Sequence, residues 1–283
     1  MLSSRSTSGS GVLLWMRASV TSFQVCASDG EVAVEESTSA RSRRLQLNAS
    51  KIEAIWFGSK PNLSKLNSTI QVGTSTIQPS AVVRDLGFHL DSELCMKQHV
   101  AMATACFYHL RRLREIRRRV GEEVTTRLVL ALVISRFDYC NSLLAVLPLC
   151  TTETPQRVQN AAARLIFELS PSEHITPSLL QLHWLPIRWR VQFKLCCFMH
   201  AVVTGRGPAY LWSIAHPAVQ SRSGLRPSSS DFSVPRTRTK FGFSYAGPSA
   251  WNTLSRHIRE TVDSDSFRKL LKTHYFTSAF GVA

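Results

Sequence analysis

Two hydrophobic patterns divide the chain after residue 43, strand-like runs up to residue 91 and a period near 3.6 after it. In EAIWFGS (53–59) apolar and aromatic residues run up to a glycine stop, which predicts a strand. STIQVG and STIQP predict a short hairpin, and AVVRDLGFHLD (81–91) predicts a further strand. Beyond Asp91 apolar residues recur every three or four positions. That spacing predicts helices over 94–119, 122–146, 153–169, 176–182 and 187–204, and a last amphipathic helix near 264–276. Thr154 stands where a cap would open the third of these, and Pro155 suits a first helical turn. The most apolar run, LVLALVI (128–134), lies between Arg127 and Arg136 and is too short to span a bilayer, so it predicts a buried helix.

Two stretches carry neither rhythm. Residues 1–43 are rich in serine, threonine and small residues with charges of both signs, predict no regular element, and are expected to be a poorly ordered leader. VQSRSGLRPSSSDFSVPRTRTK (219–240) has the composition of a linker. The predicted order is therefore a leader (1–43), a small sheet (44–92), a helical domain (93–218), the linker, and a C-terminal segment (241–283). That last segment begins with a short β or loop stretch, FGFSYAGPSAWNTL, and ends in the terminal helix. The fold class is α+β and mainly helical.

Charge changes the picture at LRRLREIRRRV (110–120). Cys106, Leu110, Leu113, Ile116 and Val120 form one apolar stripe, and the rest of the circumference carries Arg111, Arg112, Arg114, Arg117, Arg118 and Arg119. Surface helices ordinarily pair opposite charges at i, i+4, and here only Glu115 stands against six arginines. Two readings fit: a solvated face, or a surface that meets an anion such as a phosphate backbone. The formal net charge of +15 and a pI near 10.1 favour polyanionic partners. Of 34 basic residues 26 are arginine, whose planar fork suits phosphates, although coding-sequence bias yields the same excess.

The seven cysteines are odd in number and scattered, without a CxxC pair, which fits reduced thiols in an intracellular protein. Cys196, Cys197 and His200 are the one group with metal-like spacing, and an ordinary buried helix face has the same pattern. The N-terminal GVLLWM is too short for a secretory signal. No GxSxG, HExxH or phosphate-binding glycine loop occurs. In HWLPIRWR (183–190), Trp184 and Trp189 beside Arg188 and Arg190 fit either base stacking or packing at a loop-to-helix junction.

A set of longer motifs adds a resemblance. RLQLNASKIEAIWFGS, VVRDLGFHLDSELCMKQHV, ACFYHLRRLREIRRRVGEEVTTRLVLALVISRFDYCNSLL, RVQNAAARLIF, HITPSLLQLHWLPIRWRVQFKLC, FSYAGPSAWNTL and SFRKLLKTHYF follow one another along residues 43–283. Together they resemble the C-terminal part of the reverse transcriptase of non-long-terminal-repeat (LINE-type) retrotransposons, of the jockey-like and chicken-repeat-like kind.

The resemblance implies a partial palm sheet followed by a thumb-like helical bundle. LNASKIE matches a palm motif in which the lysine lies near the incoming nucleotide, so Lys51 becomes a candidate contact; Asn48 and Glu53 are kept, and Ile52 replaces a threonine. Leu86, Gly87, Leu90 and Asp91 match the strand pair that supports the primer end. The arginine-rich helix falls in the thumb, which implies Arg111, Arg112, Arg114, Arg117, Arg118 and Arg119 as contacts to RNA or an RNA/DNA duplex, weak and independent of sequence.

Such polymerases use magnesium held by carboxylates that include an aromatic-Ala-Asp-Asp loop, because both the attacking and the leaving oxygen need a metal. Here the seven aspartates are dispersed and none are adjacent. Asp85 and Asp91, at even separation on one predicted strand, would share a face, where solvent or turn roles compete with metal binding. The expectation is a truncated remnant that begins inside the palm behind an unrelated leader: not an enzyme, without cofactor, small-molecule substrate or membrane span. Its strand at 53–59 would then lack neighbours and leave Ile55 and Phe57 uncovered. The alternatives are a protein-interaction module built on the same helices or a fragment without function.

Overall fold

A computed structural model describes residues 5–6, 13–17, 23–28 and 31–36 as backbone strands, together with 52–64, 69–72, 75–85, 88–95, 97–139, 141–145, 149–215, 231–235 and 242–281. They fall into two compact units, Met1–His99 and Val100–Ala283. The chain mixes helices and small sheets, with helix predominant in the second unit.

In chain order the first unit contains β1 (Arg5–Ser6), β2 (Leu13–Arg17), β3 (Phe23–Ser28), β4 (Glu31–Glu36), β5 (Glu53–Phe57), α1 (Lys60–Leu63), β6 (Ile70–Val72), β7 (Ser75–Ile77), β8 (Val82–Asp85) and β9 (Phe88–Asp91). The expected absence of elements in residues 1–43 is thus corrected. β3 and β4 pair antiparallel from Phe23↔Glu36 to Ser28↔Glu31. The intervening residues are Asp29 and Gly30, a dipeptide that strongly favours two-residue hairpins, and apolar residues run through 25–27 and 32–34 on either side. β4 then pairs with β6 in parallel, and β6 with β7 as the expected hairpin.

β5 forms where EAIWFGS predicts it, but the expectation that Ile55 and Phe57 stand uncovered fails. They are 0% and 9% exposed, and pack with Val83 and the partly buried Leu90 and Leu94. One edge of β5 is covered by β2, in register from Leu13↔Phe57 to Arg17↔Glu53. The chain around the next hairpin also bonds to it: Ser80 N donates to Ala54 O (2.8 Å) and Gly58 N to Ser92 O (3.0 Å). Residues 54–57 are therefore all buried, the pattern of a strand covered on both faces.

The predicted single strand at 81–91 is two, β8 and β9, paired from Val82↔Asp91 to Asp85↔Phe88 with Leu86 and Gly87 between them in sequence. Asp85 and Asp91 consequently lie on different strands at opposite ends of the hairpin, not on one face of one strand. Asp91 is 8% exposed, and its carboxylate accepts from Cys95 N (2.7 Å) and Cys95 Sγ (3.2 Å), which closes the turn after β9.

The helices are α2 (Lys97–Val129), α3 (Ser135–Asp138), α4 (Leu149–Phe167), α5 (Thr176–Gln181), α6 (Ile187–Val203), α7 (Ala209–Ile214), α8 (Phe243–Asn252), α9 (Arg256–Arg259) and α10 (Ser264–Phe280). α2 is interrupted at Gly121 (φ 77°, ψ 177°), in the gap predicted between the first two helices. Only glycine takes that backbone without strain. The second predicted helix stops short of 146. It passes through a π-helical turn (Leu130–Ile134) into α3, and LVLALVI is only half buried, since Leu130 and Leu132 are exposed.

α4 begins at Leu149, so Thr154 does not cap it and Pro155 lies inside it, giving up the bond its missing N–H would have made. The stretch expected as β or loop is α8, because Ala246, Gly247, Ala250 and Trp251 repeat at helical spacing and all are buried. At Gly247 an added Cβ would come 2.9 Å from Met199 Sδ and 3.0 Å from the Phe243 ring, so any larger residue there would displace those side chains. Asp263 caps α10 through Ser266 N (2.7 Å), and Gly281 closes it in the left-handed region.

The core of the second unit is aromatic. Trp251 (0% exposed) stacks on Phe267 (1%), with ring centroids 5.9 Å apart, and Leu195, Met199, Ile258 and Leu271 are buried with them. Among the described residues no helix is long and apolar enough to cross a membrane. Replacing Trp251 by alanine is expected to lower unfolding stability by about 3–5 kcal/mol, the usual cost of deleting a buried aromatic. Urea unfolding followed by circular dichroism measures it, and a loss under about 1 kcal/mol would contradict this core.

Candidate nucleic-acid interface

At about 100° per residue, positions four, seven and eleven after Cys106 share a face of α2. They are Leu110, Leu113 and Arg117, and with Cys106 they are 0%, 5%, 5% and 9% exposed. The predicted stripe ran instead through Ile116 and Val120, which are only half buried. Arg117 therefore occupies the middle of the buried face. Its Nε (3.1 Å) and Nη2 (2.6 Å) both donate to the carbonyl of Ile166. That carbonyl lies in the last turn of α4, where backbone acceptors lack an intrahelical partner, and the buried guanidinium supplies one. Arg117 is thus engaged within the protein, joining α2 to α4, while it also lines the cleft between them.

Arg114 and Arg118 flank Arg117 on the helix surface and open into a cleft of about 500 Å³ between α2 and α4. The opposite wall comes from Arg157, Ala161 and Arg164 of α4, followed by Glu168. These four positions are spaced by four, three and four residues, which aligns them along one helix face. Ala161 is small and leaves room between the two arginines. Five guanidinium groups thus line one cleft against the single carboxylate of Glu168. Arg164 donates to Glu173 O (3.3 Å), while its buried Nε has no hydrogen-bond partner. The lining offers planar donors and positive charge, the chemistry that holds phosphate.

The predicted surface set is thereby sorted. Arg114 and Arg118 line the cleft; Arg111, Arg112 and Arg119 are exposed elsewhere on α2, with Arg112 paired to Glu115 at 3.6 Å. Lys51 lies outside the described residues. Arg157 and Arg164 were missed. Their trace in the sequence is RVQNAAAR, two arginines seven apart across small residues, which carries meaning only once α4 is set against α2.

The other candidates have structural partners. Cys196 Sγ lies 3.2 Å from Tyr275 Oη, and burial pushes its thiol up to about 12, away from the thiolate a metal would need. His200 is 3% exposed, bonds through Nε2 to Thr261 O (2.9 Å) and stacks on Phe267 at 4.1 Å. No group of three or more His, Cys, Asp or Glu could hold a metal among the described residues. Trp184 is buried at 4% exposure, while Trp189 packs on Tyr275 (5.5 Å) with the Arg188 guanidinium 5.2 Å over its ring. Packing, rather than base stacking, accounts for Trp184.

Replacing Arg117 by methionine should destabilise the fold by about 1–3 kcal/mol, because it leaves the Ile166 carbonyl buried without a donor. Arg118→Gln, at an exposed position, should change stability by less than about 0.5 kcal/mol. Comparing the two by urea unfolding checks the assignment, and equal effects would contradict it.

Desolvation is the main cause holding the His200 pKa below its ordinary value. The neutral ring is thus favoured in the folded state, and the unfolded chain takes up the proton first. Its contribution is complete above pH about 6.5 and is lost as pH falls through the folded pKa. The melting temperature should accordingly drop between pH 7 and pH 5, and less steeply in His200→Gln. The same slope in both proteins would refute the role of His200.

No family model, no curated protein and no solved structure matches this chain.

Proposed function

We propose that the chain carries the thumb-side region of a LINE-type reverse transcriptase, preceded by the edge of its palm, and that it binds nucleic acid without polymerising it. The arginine cleft between α2 and α4 carries this reading. Like charges gathered on two helices repel one another, and a phosphate backbone supplies the counter-charge at regular intervals. The β8–β9 hairpin at VVRDLGFHLD, where the family motif implies a strand pair, adds support. The dispersal of the aspartates in sequence and the engagement of Asp91 with Cys95 support binding without polymerisation. The expected partner is RNA or an RNA/DNA duplex, gripped through its backbone, in an intracellular compartment.

A protein-interaction module is the second reading, favoured by the exposed aromatic rings of Tyr210 (64%) and Trp212 (51%) on α7.

Salt separates the two. Each duplex phosphate neutralised contributes about −0.9 to the slope of log K against log salt. The triple substitution Arg114→Gln, Arg118→Gln and Arg157→Gln should flatten that slope by about 2 to 3 for an RNA/DNA duplex, equally for unrelated sequences, since phosphate contacts do not read bases. Unchanged affinity and slope would make the cleft a solvated surface and favour the interaction module.

A further inference from the structure

A second pocket lies on α6 and α10, shares no lining residue with the arginine cleft, and contains a buried polar atom without a partner. Its volume is about 300 Å³, at the small end of ligand sites. Asn141, in the short helical turn after α3, lines it; the residue is 6% exposed and its Oδ1 has no hydrogen-bond partner. An acceptor sealed from water without a donor is costly, and a turn of the Asn141 side chain toward the pocket it lines would let a ligand supply that donor.

The remaining walls narrow the ligand. Phe193, Phe276 and His183 provide flat faces, with the rings of His183 and Phe276 6.2 Å apart. Asp138 and Arg190 face the pocket too, but neutralise each other through an ion pair at 2.6 Å. Lys194 and Lys272 are left as its net charge; both are exposed, and among the described residues neither forms an ion pair. Lys272 Nζ stands 5.6 Å over the Phe276 ring and Lys194 Nζ 5.4 Å over the Phe198 ring, so an anion in the pocket would draw each from a cation–π contact. His183 has a positive φ of 54°, which its place just after α5 explains, so the strain there is no sign of a site.

The ligand must donate a hydrogen bond to Asn141 Oδ1, present a flat face to aromatic rings, and carry negative charge within reach of two lysines. We propose that this pocket holds one unpaired nucleotide: the base donates from its amino edge to Asn141 and lies against Phe193 and Phe276, and its phosphate meets Lys194 and Lys272. An acidic peptide would satisfy the lysines without the flat face. A fatty acid would satisfy the rings without the donor.

The probe is adenosine 5′-monophosphate, titrated into the full chain by calorimetry beside adenosine and ribose 5-phosphate. The mononucleotide should bind more tightly than either fragment. Asn141→Leu should weaken it about tenfold, the effect of one buried hydrogen bond. Lys272→Gln, at an exposed position, should weaken the mononucleotide and leave adenosine unchanged, and it decides alone if Asn141→Leu does not fold. The triple substitution in the arginine cleft should bind the mononucleotide as the unaltered chain does, so loss of duplex binding and loss of this pocket are read separately. No binding at millimolar mononucleotide, equal binding of ribose 5-phosphate, or unchanged affinity in Lys272→Gln would overturn the proposal.

Discussion

The contact between the Arg117 guanidinium and the Ile166 carbonyl fixes how α2 meets α4, and the cleft exists because of it. A leucine at that position would extend the apolar stripe and let the helices close on hydrophobic contact alone. Arginine is longer and needs an acceptor, which the last turn of α4 provides. With its partner fixed, Arg117 spends its own charge on structure while aligning Arg114 and Arg118 opposite Arg157 and Arg164. One arginine of the six thus bonds within the protein, and two arginines from another helix join the positive surface.

Burial sorts the polar groups of the second unit in the same way. His200 and Cys196 sit among aromatic rings, where desolvation favours their neutral forms, and each meets one protein atom: Thr261 O for the histidine, Tyr275 Oη for the thiol. Those contacts tie α6 to the chain before and along α10. Asn141 Oδ1 contrasts with them. It is as buried as they are and has no partner, which is why it points outward from the protein's own chemistry while they do not.

Local pattern carried the helices and failed on what depends on distant chain. The gap near Gly121, the helices at 176 and 187, and the cap at Asp263 are written in neighbouring residues. The coverage of β5 was not, because β2 lies far from it in sequence and nothing in EAIWFGS names its neighbour. The β3–β4 hairpin is legible in Asp29–Gly30, but the surrounding serines and threonines give the segment loop composition. At the cleft, α2 announced itself by charge density, while Arg157 and Arg164 are unremarkable until the two helices are set side by side. Hydrophobicity points to Ile116 for the stripe and geometry to Arg117, because the face that holds Leu110 and Leu113 continues at 117 whatever residue is there.

The break at Gly121 also acts on the charges around it. A helix that stops there exposes its last carbonyls beside Arg117, Arg118 and Arg119, and the next segment opens with Glu122 and Glu123 against its first amides. Backbone dipoles favour cations at a C-terminus and anions at an N-terminus, by about 0.3–1 kcal/mol for each well-placed group. RRRVGEE therefore distributes its charges as two abutting helix ends prefer, although as one continuous helix it would suffer like-charge crowding. The arginine-bearing segment gains part of the compensation for its repulsion from its own backbone. Its helix can then stand without a bound polyanion, and the cleft is formed by the chain alone.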